Sequence, residues 1–489
     1  MATEHLPFGA AGMMVIGGYV VALLVIGWLG QRAVRENTLS DFYLAGRHLG
    51  LVTLFLTMYA TQYSGNTLLM FSGKAYALGF TWLMSVQFMT VIIVGLLVIG
   101  PRLRVVCRRA NLITPPDYVL HRFNAPMLSL LVSVIMIFVA GNYTIAQMRA
   151  MGAFITGLSG GAIPMTYGVI GLAVIMVLYE TLGGMRSVAW TDALQGIILF
   201  TAFFVLLVVL RVEFGSFATA TATVAKTAPE KVRPPDGDHL RMWCSYLVLF
   251  GLGASCYPMA IQRLYAARNA KTLKHSIVLM AFMPLCTTLI ALITGIYAAS
   301  QLASVTGTDT VLPRLCAIIV EVSPLGHVLV LTIFAAVLAA LMSTADSALL
   351  SIASMATRDI YARYINPRAT QAALSTVSKR LSWFIMGALV FVALQDIGDL
   401  KQLLDIKFEM LVQVAPAFFL GLHTRVAARP IAAGLVVGVA AALAIRFAWS
   451  PTVAGIHAGT IGLVANAAVV WLVQAVETRS TQQGVVRKS

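Results

Sequence analysis

Charge is what this sequence has least of: 11% of its 489 residues are Asp, Glu, Lys or Arg, where a soluble domain carries roughly 25%. Acidic residues are the scarcer sign, 19 against 34 Lys and Arg. Long runs hold no formal charge, among them 6–30, 193–210, 276–308 and 447–476. Such scarcity excludes a water-soluble globular chain. Strict apolar–polar alternation is missing too, which excludes a β-barrel. The five cysteines (Cys107, Cys244, Cys256, Cys286 and Cys316) show no metal-ligand spacing. They read as free, packed thiols rather than a zinc centre or a disulfide frame. No nucleophile–base pair or metal cluster stands in the apolar spans, so the chain does not read as an enzyme. The opening MATEHLPFGAAGMMVIGGYV lacks the basic region of a cleaved signal and reads as a retained span.

What is present is apolar helix. Hydrophobic residues make up 59% of the chain, and the mean hydropathy is +0.86. Thirteen stretches are long enough to cross about 30 Å of hydrocarbon as helices. They lie near 10–30, 50–73, 78–100, 127–151, 162–181, 190–210, 242–262, 277–300, 324–355, 381–397, 402–422, 430–448 and 455–476. Asp396, Asp399, Lys401, Asp405, Lys407 and Glu409 crowd the junction of the tenth and eleventh. With the N-terminus outside, most Lys and Arg fall in alternate loops that face the cytoplasm, including Arg186, Arg263 and Arg358. The net charge of +15 is therefore a topology signal rather than a nucleic-acid site, and it puts the C-terminus inside a cell membrane. Residues 212–241 read as a short external loop, and 477–489 as a polar cytoplasmic tail. An all-α integral membrane protein follows, with membrane lipid as its surroundings and no obligatory protein partner.

Two spans carry interruptions. The second holds Ala60-Thr61-Gln62-Tyr63-Ser64-Gly65-Asn66-Thr67 and the seventh Gly251-Leu252-Gly253-Ala254-Ser255-Cys256-Tyr257-Pro258. Glycine and proline loosen a helix. Spans five apart become equivalent in an inverted five-helix repeat, where each break opens carbonyls toward a midplane site. The ninth span adds Ala340, Ser343 and Thr344 at i, i+3 and i+4, which aims one carbonyl and two hydroxyls at a single helix face. Buried hydroxyls are costly without a partner, and a small hard cation is one user of such oxygens. Asp346, three residues on, is an intramembrane ionisable group. A second cation position, uptake of a proton, an ion pair with a basic residue such as Lys74 or Arg149, and neutral packing are its readings. For a solute, Gln62, Asn66, Gln87, Asn142, Tyr143, Phe250 and Tyr257 are polar or aromatic residues at membrane depth near the interruptions. Such groups suit a small polar molecule held between helix ends.

Four stretches resemble the sodium/solute symporters, the family of the proline, pantothenate and sugar symporters. They are Asp41-Phe42-Tyr43-Leu44-Ala45-Gly46-Arg47; Gly183-Gly184-Met185-Arg186 through Trp190-Thr191-Asp192 and Gln195-Gly196; Gln262-Arg263 with Ala266-Ala267-Arg268; and Met342-Ser343-Thr344-Ala345-Asp346-Ser347 through Arg358-Asp359-Ile360-Tyr361. The resemblance implies a leucine-transporter-type fold. One extra helix and the first loop (1–48) precede a ten-helix inverted-repeat core (49–422), and two helices (423–476) and the tail follow it. It also implies a sodium ion held by the carbonyls of Ala60, Tyr63 and Ala340 and the hydroxyls of Ser343 and Thr344. Asp192 matches a carboxylate associated with sodium exit, while its place near a helix start also suits an N-cap partnered with Arg186. Where the proline symporters have an aspartate and an aromatic, this chain has Gln62 and Ala254; where sugar symporters have a glutamine, it has Thr67. Those departures point away from proline and hexoses.

The function expected is sodium-coupled import of a small organic solute by alternating access. Amide N–H groups freed after Gly65 are able to receive a carboxylate, so a monocarboxylate or amino acid is preferred. A proton-coupled carrier using Asp346 or Asp192 is one rival. A transporter-like solute sensor is the other, and the short tail after residue 476 speaks against it.

Overall fold

The computed structural model describes residues 9–158, 161, 163–305, 307–308, 310–324, 326–395 and 400–486. Asp396 and Asp399 lie outside them, as do the side chains of Asn66, Lys401 and Asp405. Among the described residues, eleven helices are long and apolar enough to span a membrane, or twelve when the bent pair Gly237–Cys256 and Pro258–Ala266 counts as one. The expected span at 50–73 is split, as Leu51–Gln62 and Gly65–Leu78. The loop expected at 212–241 is largely helical, through Phe217–Thr227 and a turn at Pro229–Val232. Likewise the last helix, Ala458–Val486, runs on through the expected polar tail.

Helix Gly326–Met355 is the axis of the bundle. Every residue from Ala336 to Met355 is buried, so it has no solvent stripe and is apolar all round apart from its hydroxyls and one acid. Alanine and serine dominate this stretch, and small side chains let neighbouring backbones approach closely in a membrane. Helices Pro126–Leu158, Met185–Glu213 and Gln371–Ala393 pack around it, together with both halves of the split span.

The split span breaks for a local and a tertiary reason. Gln62, Ser64, Gly65 and Asn66 form a run whose side chains compete with helical hydrogen bonds or supply none. Tyr63 and Ser64 accordingly leave the helix, at φ −107°, ψ 94° and φ −83°, ψ 171°. Gly65 then presses against the axial helix: a Cβ there would lie 2.6 Å from Leu341 Cγ and 2.8 Å from the Val337 carbonyl. The seventh span breaks differently. Gly237–Val248 widens into a π-type turn over Leu249–Gly253, tightens over Ala254–Cys256 and restarts at Pro258, with a 51° bend. Pro258 has no N–H to continue the ladder and forces Tyr257 out of helical geometry (ψ 130°).

Outside the spans, Arg186 grips Asp41 through both oxygens at 2.7 and 2.5 Å. Burial pushes the Asp41 carboxyl upward, but Arg186 and the backbone N–H groups of Glu36 and Arg35 outweigh it and hold it below its ordinary value. That clamp fixes the segment before the split span to the start of Met185–Glu213. The last two helices, Ala428–Ala448 and Ala458–Val486, pack on each other and join the core through Arg446–Glu409 at 2.9 Å and Asn466 Nδ2 to the Gln413 carbonyl at 2.9 Å.

Gly65→Val is expected to push the break away from Val337 and Leu341, at a cost of about 1–3 kcal/mol. The measurements are the Tm of the purified protein and its uptake in proteoliposomes. Both should fall, while Gly17→Val, where a Cβ meets nothing within 4 Å, should change neither. An unchanged Tm for Gly65→Val discards the close-approach argument.

Candidate functional site

Ending a helix releases its last carbonyls. At the split span one of these, on Ala60, lies 3.0 Å from the Ser343 hydroxyl, which is also 3.0 Å from the Ala340 carbonyl. Thr344 Oγ1 reaches the same Ala340 carbonyl at 3.1 Å. The Ser343 hydroxyl has one hydrogen, so it satisfies one of its two carbonyls at a time. A cluster built only of oxygen atoms suits a small hard cation. The structure thus brings together Ala60, Ala340, Ser343 and Thr344, all buried. Tyr63, fully buried, is the residue at which the helix ends. On the cavity side, the Tyr143 hydroxyl lies near Ser64 and Thr344.

Toward the other end of the axial helix the polar face continues as a charged network. Arg263, on Pro258–Ala266 and 1% exposed, donates to Asp192 Oδ2 at 2.7 Å, Thr57 Oγ1 at 2.8 Å and Ser347 Oγ at 2.5 Å. Thr57 donates to the same Asp192 oxygen. Ser347 bonds Asp346 Oδ1 at 3.2 Å, and Tyr179 donates to Asp346 Oδ2. Ser351 and Ser354 then carry the ladder on to Gln262, at 2.7 and 2.5 Å. Asp192 therefore does not cap its helix against Arg186, which is committed to Asp41. Its partner is Arg263, a residue the charge distribution alone assigns to a cytoplasmic loop. Asp346 makes its hydrogen bonds to Tyr179 and Ser347 rather than to Lys74 or Arg149, and Arg263 reaches it through Ser347. The serine spacing 343, 347, 351 and 354 was a usable sequence signal for this ladder.

A cavity opens between the two broken spans. Gln62, Tyr143, Phe250 and Tyr257 line it, with Ser64 and Thr67 from the start of Gly65–Leu78. Two nominated residues do not. Asn142 is buried one position before Tyr143, off the cavity wall, and Gln87 is exposed on the outward face of Met84–Ala110. Period-3.6 geometry explains both: neighbours on a helix point about 100° apart. The Asn66 side chain lies outside the described residues. Lys74, Phe71, Trp82, Phe88, Tyr246, Lys407, Phe408 and His457 also line the wall, contributed by elements distant in sequence.

The model of the sodium:solute symporter family matches residues 42–444. The chain belongs to that family. The osmoregulated proline transporter OpuE of Bacillus subtilis (strain 168) is 27% identical over 395 residues, covering 80% of this chain and 78% of its own. The sodium/pantothenate symporter of Escherichia coli (strain K12) is 25% identical, with 78% and 79% covered. For the sodium/glucose cotransporter of Vibrio parahaemolyticus the figures are 25%, 88% and 83%. In three dimensions the chain is similar to a Na⁺-coupled sialic acid symporter solved in a substrate-bound, outward-open state. The TM-score is 0.80 at 19% identity, over 96% of this chain and 97% of that one. A nucleobase-cation-symport-1 family transporter in a closed conformation gives 0.56 at 15% identity. The fold is the leucine-transporter-type inverted repeat, and the symporter is a multi-pass membrane transporter rather than an enzyme.

Breaking a buried ion pair by removing one partner costs about 3–5 kcal/mol. Arg263→Met and Asp192→Asn should therefore each lower the Tm of the purified symporter sharply, and the double variant should lose much less than their sum. Additive losses would show that the two side chains do not stabilise one another.

Proposed function

We propose that this symporter couples inward sodium movement to import of a small organic solute, with Ala60, Tyr63, Ala340, Ser343 and Thr344 as the sodium ligands. The observation that carries the reading is the Ser343 hydroxyl lying 3.0 Å from two carbonyls on different helices. Sodium there ties the split span to the axial helix. Because Tyr143 lies beside Thr344 and also lines the cavity, ordering of Thr344 by sodium carries over to the solute wall. Rocking of one half of the core (49–422) against the other then exposes both sites to the cytoplasm, with the N-terminus outside and the C-terminus inside. Asp192 and Asp346 take part in release, since Ser347, one turn beyond Ser343 on the same helix, bonds Asp346 and joins Asp192 through Arg263. One Asp192 oxygen is held by Arg263 and Thr57, while Oδ1 has no hydrogen-bond partner among the described residues, which suits brief contact with a passing ion.

The solute proposed is a monocarboxylate or amino acid. Proline symporters are among the relatives, but Gln62 and Ala254 keep their departure from the proline pattern. One sodium crossing 100 mV gains about 2.3 kcal/mol, and a tenfold gradient adds about 1.4 kcal/mol. Together these sustain solute accumulation of several hundred-fold.

Ser343→Ala combined with Thr344→Ala is expected to abolish the rise in Tm that sodium alone gives the purified protein, and with it sodium-stimulated uptake. Sodium stabilisation unchanged in this variant refutes the ligand assignment. Replacing sodium by choline between pH 5 and 8 separates the proton-coupled alternative: uptake that persists in choline and rises with acidity would replace sodium by a proton.

A further inference from the structure

Three arginines that transport does not use meet at one end of the bundle. Arg47 follows the short helix Leu39–Leu44, and Arg104 and Arg108 stand one turn apart near the end of Met84–Ala110. Arg47 and Arg104 are buried, while Arg108 is exposed. Arg104 Nη2 donates to the Arg268 carbonyl at 3.2 Å. Arg108 Nη2 donates to the same carbonyl at 2.9 Å and to that of Arg47 at 3.1 Å. Arg47 donates to Asn111 Oδ1 at 3.2 Å and the Leu112 carbonyl at 3.0 Å. These bonds fix the guanidinium groups without filling them, since each carries five N–H donors. Arg104 and Arg108 donate through Nη2 alone, and Nε of Arg47 and of Arg104 is buried with no partner among the described residues. Nor does any of the three pair with a carboxylate among those residues. Asp41 is committed to Arg186, and Asp117 to Arg358 and Arg363. Like charges gathered out of water without a counterion are costly, so the cluster suits an anion from outside the chain.

The surface leading to the cluster is apolar. Val94, Val98 and Val105 are exposed, and their spacing, continued by Arg108 and Arg109, keeps to one face of Met84–Ala110. Helix Ala270–Met280 packs on it at Gly100, where a Cβ would lie 3.5 Å from Ile277 Cδ1. It shows the same order from the same end, with Lys271 and Lys274 exposed first and Val278 after them. We propose that Arg104 and Arg108, braced by Arg47, bind the phosphate of an anionic phospholipid whose acyl chain lies along Val105, Val98 and Val94. A guanidinium binds phosphate through paired N–H bonds, and basic pockets between membrane helices take anionic headgroups. The site sits on a junction. The Leu49 N–H donates to the Ala266 carbonyl at 3.2 Å and the Arg268 N–H to the Leu49 carbonyl at 3.0 Å, so the approach to the split span is joined to the end of Pro258–Ala266. A lipid held there braces both broken spans from outside. The inference needs the membrane setting of the family and not the sodium ligands.

The test is the Tm of the purified, delipidated protein in neutral detergent, titrated with phosphatidylglycerol, phosphatidylcholine, glycerophosphate or inorganic phosphate. Phosphatidylglycerol is expected to raise the Tm, with a half-maximal concentration at least about 10-fold below that of the other three. Arg108→Gln should raise that concentration by about 10-fold. Arg429→Gln, at an exposed basic residue of Ala428–Ala448, should leave it unchanged. The proposal is overturned by phosphatidylcholine matching phosphatidylglycerol, or by Arg108→Gln binding phosphatidylglycerol as the wild type does. It is overturned equally by Arg429→Gln weakening the lipid as much as Arg108→Gln, which would mean attraction to surface charge in general. Glycerophosphate or inorganic phosphate as effective as the lipid replaces the phospholipid by a free phosphate. Should Arg108→Gln fail to fold, Val105→Glu takes its place: a carboxylate in the path of the acyl chain is expected to weaken phosphatidylglycerol by a similar factor, and unchanged binding overturns the proposal.

Discussion

The seam between the broken span and the axial helix is the constraint from which the rest of the structure follows. At one point a carbonyl that has lost its helical donor, Ala60, meets a hydroxyl that has two acceptors, Ser343. Nothing else in a hydrocarbon environment would tolerate an interrupted backbone, since each unsatisfied group costs several kcal/mol there. The interruption persists because Gly65 brings the second half-helix into direct backbone contact with Val337 and Leu341. The break, the close approach and the oxygen cluster are therefore one feature. A cation bound as proposed would hold both sides of the seam together.

Charge is used sparingly around that seam and almost always in the form of shared contacts. Arg263 alone serves Asp192, Thr57 and Ser347, and Ser347 passes the connection to Asp346. Such a buried network is weak evidence for stability in itself, since desolvation offsets much of the attraction. Its geometry is more telling. Pro258–Ala266 is the second half of the other broken span, and Arg263 joins it to Met185–Glu213 and to the axial helix at once. Both interrupted spans are thereby tied to one face of one helix.

The solute side follows a different logic. Its wall combines two half-helices with Met84–Ala110, Pro126–Leu158, Leu400–Leu411 and the hairpin carrying His457. Rings supply most of the surface, with Lys74 and Lys407 among them. Tyr143 connects the two halves, with its face toward Lys407 and its hydroxyl toward Thr344.

Properties that repeat along a helix were legible in the sequence. Hydropathy over about 20 residues marks a span, the polar run from Thr61 to Asn66 marks its break, and the i, i+3, i+4 spacing of Ala340, Ser343 and Thr344 places three oxygens on one face. Loop charge gave an orientation but misread Arg263, because the positive-inside pattern counts residues by their distance from apolar runs and not by their partners. Gln87 and Asn142 were polar at the right depth yet face away from the cavity, while Lys407, which looked like the boundary of a span, points into it. Depth and periodicity are local quantities and need no neighbour. Which side of a helix meets the site depends on how each helix is rotated against others hundreds of residues away, and only the packed bundle decided that.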